Sequence, residues 1–93
     1  MKAIWKDAVL AESNNTKVID NTHYFPPDSL NSRYFQLSDT HSESPQEGRA
    51  SYFHIQVEDQ KKEDAAWFYP HPKEAASEIK NHVAFTKEIE IED

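Results

Sequence analysis

Residues 49–69, RASYFHIQVEDQKKEDAAWFY, decide the fold. Ser51, Phe53, Ile55 and Val57 fall on one side of an extended chain, and Ala50, Tyr52, His54, Gln56 and Glu58 on the other, the period of two that a strand imposes. The polar stretch 59–63 then reads as a turn, and Ala65-Ala66-Trp67-Phe68-Tyr69 is apolar on both sides, as a strand covered on both faces would be. An antiparallel hairpin at the centre of a sheet is the expectation. Pro70-His71-Pro72 ends the second strand, and Pro72 suits the first turn of a helix, where its missing N–H is no loss.

Upstream, turn residues punctuate short apolar stretches at meander spacing. Lys6-Asp7, Asn14-Asn15 and Asp20-Asn21 separate Ala3-Ile4-Trp5, Val9-Leu10-Ala11, Lys17-Val18-Ile19 and His23-Tyr24-Phe25, which read as four strands. With Gly48 as the single glycine, asparagine and aspartate must serve at positive φ. Pro26-Pro27 stops the fourth strand, and residues 28–31 read as a short helical turn. Tyr34–Leu37 is extended again, and residues 38–48, with no apolar side chain beyond the Pro45 ring, read as the longest loop.

Downstream, Ala75, Ala76 and Ile79 give a narrow small-residue face and predict a helix over residues 73–80. Val83-Ala84-Phe85 and the alternating Glu88–Glu92 read as strands. The fold expected is mainly β with one helix (α+β): a single domain over 1–93, with an antiparallel sheet of seven or eight strands, barrel-like or tent-like. Its core is expected from Ile4, Val9, Val18, Phe25, Phe53, Ile55, Val57, Phe68, Ile79, Phe85 and Ile89.

Composition removes several functions. A chain of 93 residues buries roughly 60–65% of its unfolded surface and holds one core, not two lobes around a cleft. With no cysteine there is no disulfide, thiolate metal site or cysteine nucleophile. Ten Lys and Arg against seventeen Asp and Glu give a net charge of −7, so nucleic acid is not an expected partner. No apolar run suits a signal peptide or a membrane span, and a cytoplasmic location is expected. Aromatic residues at 12% argue against disorder.

The order of motifs Met1-Lys2-Ala3-Ile4-Trp5, His23-Tyr24-Phe25-Pro26-Pro27, Ser38-Asp39-Thr40, Ala50-Ser51-Tyr52-Phe53, Asp64-Ala65-Ala66-Trp67-Phe68-Tyr69-Pro70 and Val83-Ala84-Phe85 resembles the DUF427 family, nearly end to end. The resemblance implies a single mostly β domain and brings no activity with it. The family pattern has a Cys-Pro-aromatic-Lys-Gly run where this chain has Ser44-Pro45-Gln46-Glu47-Gly48, so a thiol-dependent role finds no thiol here. The nucleotidyltransferase-like label sometimes given to the family meets a chain with one glycine, no phosphate-loop pattern and little basic charge.

For function, the residues offer more large rings than a small core needs. Trp67 and Tyr69 share one strand face beside Tyr52 on the neighbouring strand, and amphipathic rings in that position either complete a core or line a cavity with hydroxyls at its rim. We expect a ligand-binding module for a small molecule or peptide, with Tyr24, Tyr52, Trp67, Tyr69 and His71 lining its pocket. The chain is expected to be a monomer or weak homodimer, without cofactor or metal. An alternative is an enzyme using His71 or His23 with Asp39 or Ser44; another is a protein-interaction domain that presents the same rings. Ser38, Asp39, His41 and Ser44 have the residue types of a hydrolase triad, but they crowd one segment rather than converging from separate elements. Glu88, Glu90 and Glu92 form an acidic row best read as protection of a terminal strand.

Overall fold

The computed structural model describes all of Met1–Asp93 as nine strands and three short 3₁₀ segments. Strands β1 (Lys2–Trp5) and β2 (Ala8–Glu12) form a hairpin that β9 (Glu90–Glu92) extends into a three-stranded sheet, order β2-β1-β9. The hairpin β3 (Lys17–Ile19) and β4 (Thr22–Tyr24) stands alone as a two-stranded sheet. Strands β5 (Phe35–Ser44), β6 (Gly48–Val57), β7 (Gln60–Phe68) and β8 (Val83–Phe85) form the four-stranded main sheet in sequence order. All paired strands are antiparallel. The architecture is mostly β in one domain, and the sheets do not close into a barrel.

Local chemistry accounts for the turns. Lys6-Asp7 and Asp20-Asn21 have φ of 51° and 64° in both cases, which fits the primed turns that match strand twist, without glycine. The central hairpin β6–β7 turns at Glu58-Asp59, with Val57 facing Gln60 and Glu58 at φ 54°. Residues 60–63, expected in the turn, belong to β7.

The 38–48 segment is a correction of more consequence. It is no loop: residues through Ser44 belong to β5 and pair with β6 down to Ser44 opposite Gly48. An edge strand needs only its backbone ladder on one side, and polar side chains on it discourage further pairing, so β5 carries no apolar alternation beyond Leu37. Ser38 and Thr40 hold it laterally as well, donating to the Asp64 carboxylate at 2.6 and 2.8 Å. Asp64 sits in a bulge of β7 at φ 52°, its N–H donating to His54 Nδ1 at 3.0 Å.

The helix expected over residues 73–80 is also absent. Glu74–Ile79 is a pair of 3₁₀ turns broken at Ala76 (φ −117°, ψ 20°), with no side-chain cap at its start. Ala76 and Ile79 are the two residues it buries, and a spacing of three suits 3₁₀ geometry, so a regular helix offers no further burial. The turn expected at 28–31 is a 3₁₀ turn at Pro27–Ser29. At the C-terminus, Glu88 lies outside β9, so the acidic row shortens to Glu90 and Glu92 on an exposed strand.

The main core gathers Leu10, Phe25, Ile55, Val57, Val83 and Ile89 with small side chains at Ala3, Ala11, Ala65 and Ala66. Phe25 packs edge-on against Phe85 at 5.6 Å, and Phe53 stacks on Phe68 at 4.7 Å. Val9 and Val18, expected inside, are 38% and 53% exposed; a bulge between β1 and β2 turns Leu10 and Ala11 inward instead. No helix is long and apolar enough to cross a membrane. Phe25 is fully buried, so Phe25→Ala is expected to cost about 3–5 kcal/mol in urea denaturation, while Val18→Ala changes stability by less than about 0.5 kcal/mol.

Candidate functional site

The two faces of the main sheet are filled differently. One carries the Phe53, Phe68 and Phe85 side and packs on the main core. The other packs Tyr24, Tyr69 and Ile79 over Ala50, Ala76 and Ala84, with Ile19, Tyr52 and Trp67 at the margin. Tyr52 faces Trp67 across β6–β7, and Trp67 faces Ala84 across β7–β8.

Tyr24 arrives from the β3–β4 hairpin. Phe25 and Val83 exchange two backbone hydrogen bonds of 2.8 Å, which bring β4 against β8 and stand Tyr24 edge-on to Trp67, ring centroids 6.5 Å apart at 87°. Tyr24 lies 6.4 Å from Tyr69 at 39°, and Tyr52 lies 6.5 Å from Trp67 at 45°. Between them is a hollow of about 370 Å³, open to solvent, whose remaining wall is Ile19, Asp20, Thr22, Glu47 and Thr86. Four of the five residues singled out from the sequence, Tyr24, Tyr52, Trp67 and Tyr69, therefore border one cavity.

His71 does not join them. It lines a separate hollow of about 270 Å³ with His41, Arg49, Ser51 and Pro70. Arg49 and Ser51 alternate with Ala50 and Tyr52 along β6, so the sheet itself divides the two hollows. Of the other residues considered for catalysis, Ser44 donates to Glu47 Oε1 at 2.6 Å, His23 Nδ1 pairs with Thr16 Oγ1 at 3.1 Å, and Asp39 is exposed on β5. Trp67 also borders a third hollow of about 410 Å³, with Thr22 and Thr86 again and with His23, Phe85 and Lys87. The Thr86 hydroxyl, near enough to the exposed Glu88 carboxylate to lower its pKa, is buried and outside hydrogen-bonding geometry with any group.

The walls are held in place. Tyr52 shares a 2.9 Å hydroxyl–hydroxyl bond with Ser42 on β5. Ser44 Oγ accepts the N–H groups of Gln46 and Glu47 while donating to the Glu47 carboxylate, and the Glu47 carbonyl accepts the Lys73 N–H at 2.8 Å. Gly48 makes this turn possible: its φ of 109° is one that side-chain-bearing residues rarely adopt, and the His71 carbonyl lies 3.5 Å from where a Cβ would stand. Sequence reasoning missed Asp20 and Glu47 as wall residues, although Asp20-Asn21 was legible as a turn.

Burial pushes the Tyr69 phenol up to about 12, with Tyr24 and the Glu47 carboxylate adding to the shift. Burial also raises Tyr24, opposed by the Trp67 side chain and reinforced by the Glu47 and Asp20 charges. Both hydroxyls stay protonated through the physiological range and can donate to a ligand. A phenol raised on folding stabilises fully below its unfolded pKa, and that contribution is lost as pH climbs from about 10 toward 12. Stability followed by urea denaturation across this range is expected to fall in the native chain and to fall less steeply in Tyr69→Phe.

The fold and its hollow thus define a small antiparallel β domain with an aromatic-lined hollow on one face of its main sheet. The chain belongs to the family described as a domain of unknown function, DUF427, whose model matches residues 1–93. No curated protein matches it.

Proposed function

We propose that this protein is a binding module whose ligand, a small molecule or a peptide side chain, enters the hollow between Tyr24, Tyr52, Trp67 and Tyr69. The observation that carries the reading is that four large rings, from β4, β6, β7 and the residue following β7, border one solvent-open space of about 370 Å³. That volume falls in the range of small-ligand pockets. The half-buried rings of Tyr52 and Trp67 give up water readily at a concave surface, and the hydroxyls of the buried Tyr24 and Tyr69 supply direction. The rigid supports at Ser42, Ser44 and Lys73 keep the walls in place before the ligand arrives, which lowers the ordering cost of binding.

Trp5→Phe leaves Trp67 as the sole indole, because the chain has two tryptophans. In that background, a library of cationic, neutral and anionic metabolites and short peptides is expected to yield at least one compound that shifts Trp67 emission saturably and raises the melting temperature. Tyr52→Ala, at a half-exposed wall position, is expected to weaken that compound about tenfold with the fold intact. A library that leaves both readouts unmoved at millimolar concentration overturns the proposal.

A further inference from the structure

We infer that the ligand group taken by this hollow is a methylated or quaternary ammonium, an inference that rests on the binding role proposed above. The charges at the wall are one-sided. Asp20 and Glu47 both line the hollow, and no lysine, arginine or histidine does; Lys87 and His23 stand in the adjoining hollow beyond Trp67. An anion entering here meets two carboxylates with nothing to balance them. A neutral apolar group displaces water from those carboxylates without replacing its hydrogen bonds.

The rings reinforce the same sign. Aromatic faces carry the negative part of a quadrupole and attract cations lying within about 6 Å of the ring centre. Tyr24 and Tyr69 are only 4% and 6% exposed and pack on their neighbours in tilted and edge-on pairs, so the ring surface open to a guest belongs to the half-buried Tyr52 and Trp67, with the two buried tyrosines behind them. Burial is what chiefly raises the phenols of Tyr24 and Tyr69, and the Glu47 carboxylate adds to both shifts.

The type of cation follows from what the walls lack. A divalent metal ion requires six or so oxygen ligands at short range, whereas rings and two carboxylates provide few, and no cluster of three or more potential ligands gathers here. A primary ammonium brings three N–H donors that each need an acceptor, and ring faces satisfy them poorly. A fully methylated ammonium has no N–H, spreads its charge over methyl surface and is matched by ring faces with carboxylates at the margin. Glu47 is already oriented by the 2.6 Å bond from Ser44, so its charge is fixed where the guest arrives.

Choline and a short peptide carrying Nε-trimethyl-lysine are the probes, each against an uncharged or unmodified counterpart: 3,3-dimethylbutan-1-ol for choline, and the plain lysine peptide. Titration calorimetry together with Trp67 emission in the Trp5→Phe background is expected to show saturable binding of at least one methylated probe, at least tenfold tighter than its counterpart. Asp20→Asn with Glu47→Gln is expected to weaken that probe at least fivefold and leave the uncharged alcohol unchanged. Asparagine accepts the positive φ at position 20, and glutamine keeps an acceptor for Ser44, so both turns should survive. Preference for choline assigns a free small cation and preference for the peptide a modified side chain; either supports the inference. Equal affinity for the charged and uncharged members of a pair, or no binding of either methylated probe, overturns it. In those cases the broader proposal is judged separately, by whether neutral or anionic compounds move Trp67.

Discussion

Two backbone hydrogen bonds, each 2.8 Å, between Phe25 and Val83 are what the rest of the molecule depends on. They attach the β3–β4 hairpin to β8 at the edge of the main sheet. A two-stranded ribbon of three residues a side is marginal on its own, so without this bridge the hairpin has little to hold it in place. The bridge also distributes adjacent residues to opposite tasks, because neighbours in an extended chain point to opposite faces. Phe25 enters the main core beside Phe85, while Tyr24 stands over the other face beside Trp67.

That division explains why a protein of 93 residues has space to spare. On one side of the main sheet, large rings stack and interlock, with Phe53 on Phe68 and Phe35 edge-on to Phe53 at 5.4 Å. On the other, Tyr24, Tyr69 and Ile79 pack with the alanines at positions 50, 76 and 84, and the rings meet in tilted and edge-on pairs. The hollow is walled by Tyr24, Tyr52, Trp67 and Tyr69 together with turn residues and threonines. Its charge comes from two turns, one bearing Asp20 between β3 and β4 and one bearing Glu47 between β5 and β6. The main core lies on the first face and a smaller buried cluster on the second, which is the face of the proposed binding site.

Much of this was legible in the sequence where a single periodicity governs. The alternation in residues 49–57 and the apolar run 65–69 located the central hairpin, and the same alternation placed Tyr52, Trp67 and Tyr69 on one side. Lys6-Asp7 and Asp20-Asn21 announced their turns because few other residue pairs accept positive φ twice in succession. The continuation of β5 beyond Leu37 is not legible locally because an edge strand is specified by its neighbour's backbone and by the Ser38 and Thr40 bonds to Asp64, 26 and 24 residues away. The 3₁₀ turns at Glu74–Ile79 imitated a helix because Ala76 and Ile79 satisfy either spacing. His71 was misplaced with the rings because the sheet separates it from them, a fact that depends on where the chain crosses after Pro70. Glu47 stood out only as a departure from a family pattern; its position at the wall depends on the Ser44 and Gly48 turn geometry, which no local pattern encodes.

The account turns on Tyr24 and Trp67 facing one another in solution as neighbouring walls of an open space. Nuclear Overhauser spectroscopy of the unliganded Trp5→Phe protein measures this directly. Cross-peaks between the Tyr24 ring and the Trp67 indole, together with cross-peaks linking Phe25 to Val83, are the predicted result. A Tyr24 ring with no cross-peak to Trp67, or one correlated only with residues of the main core, would contradict it.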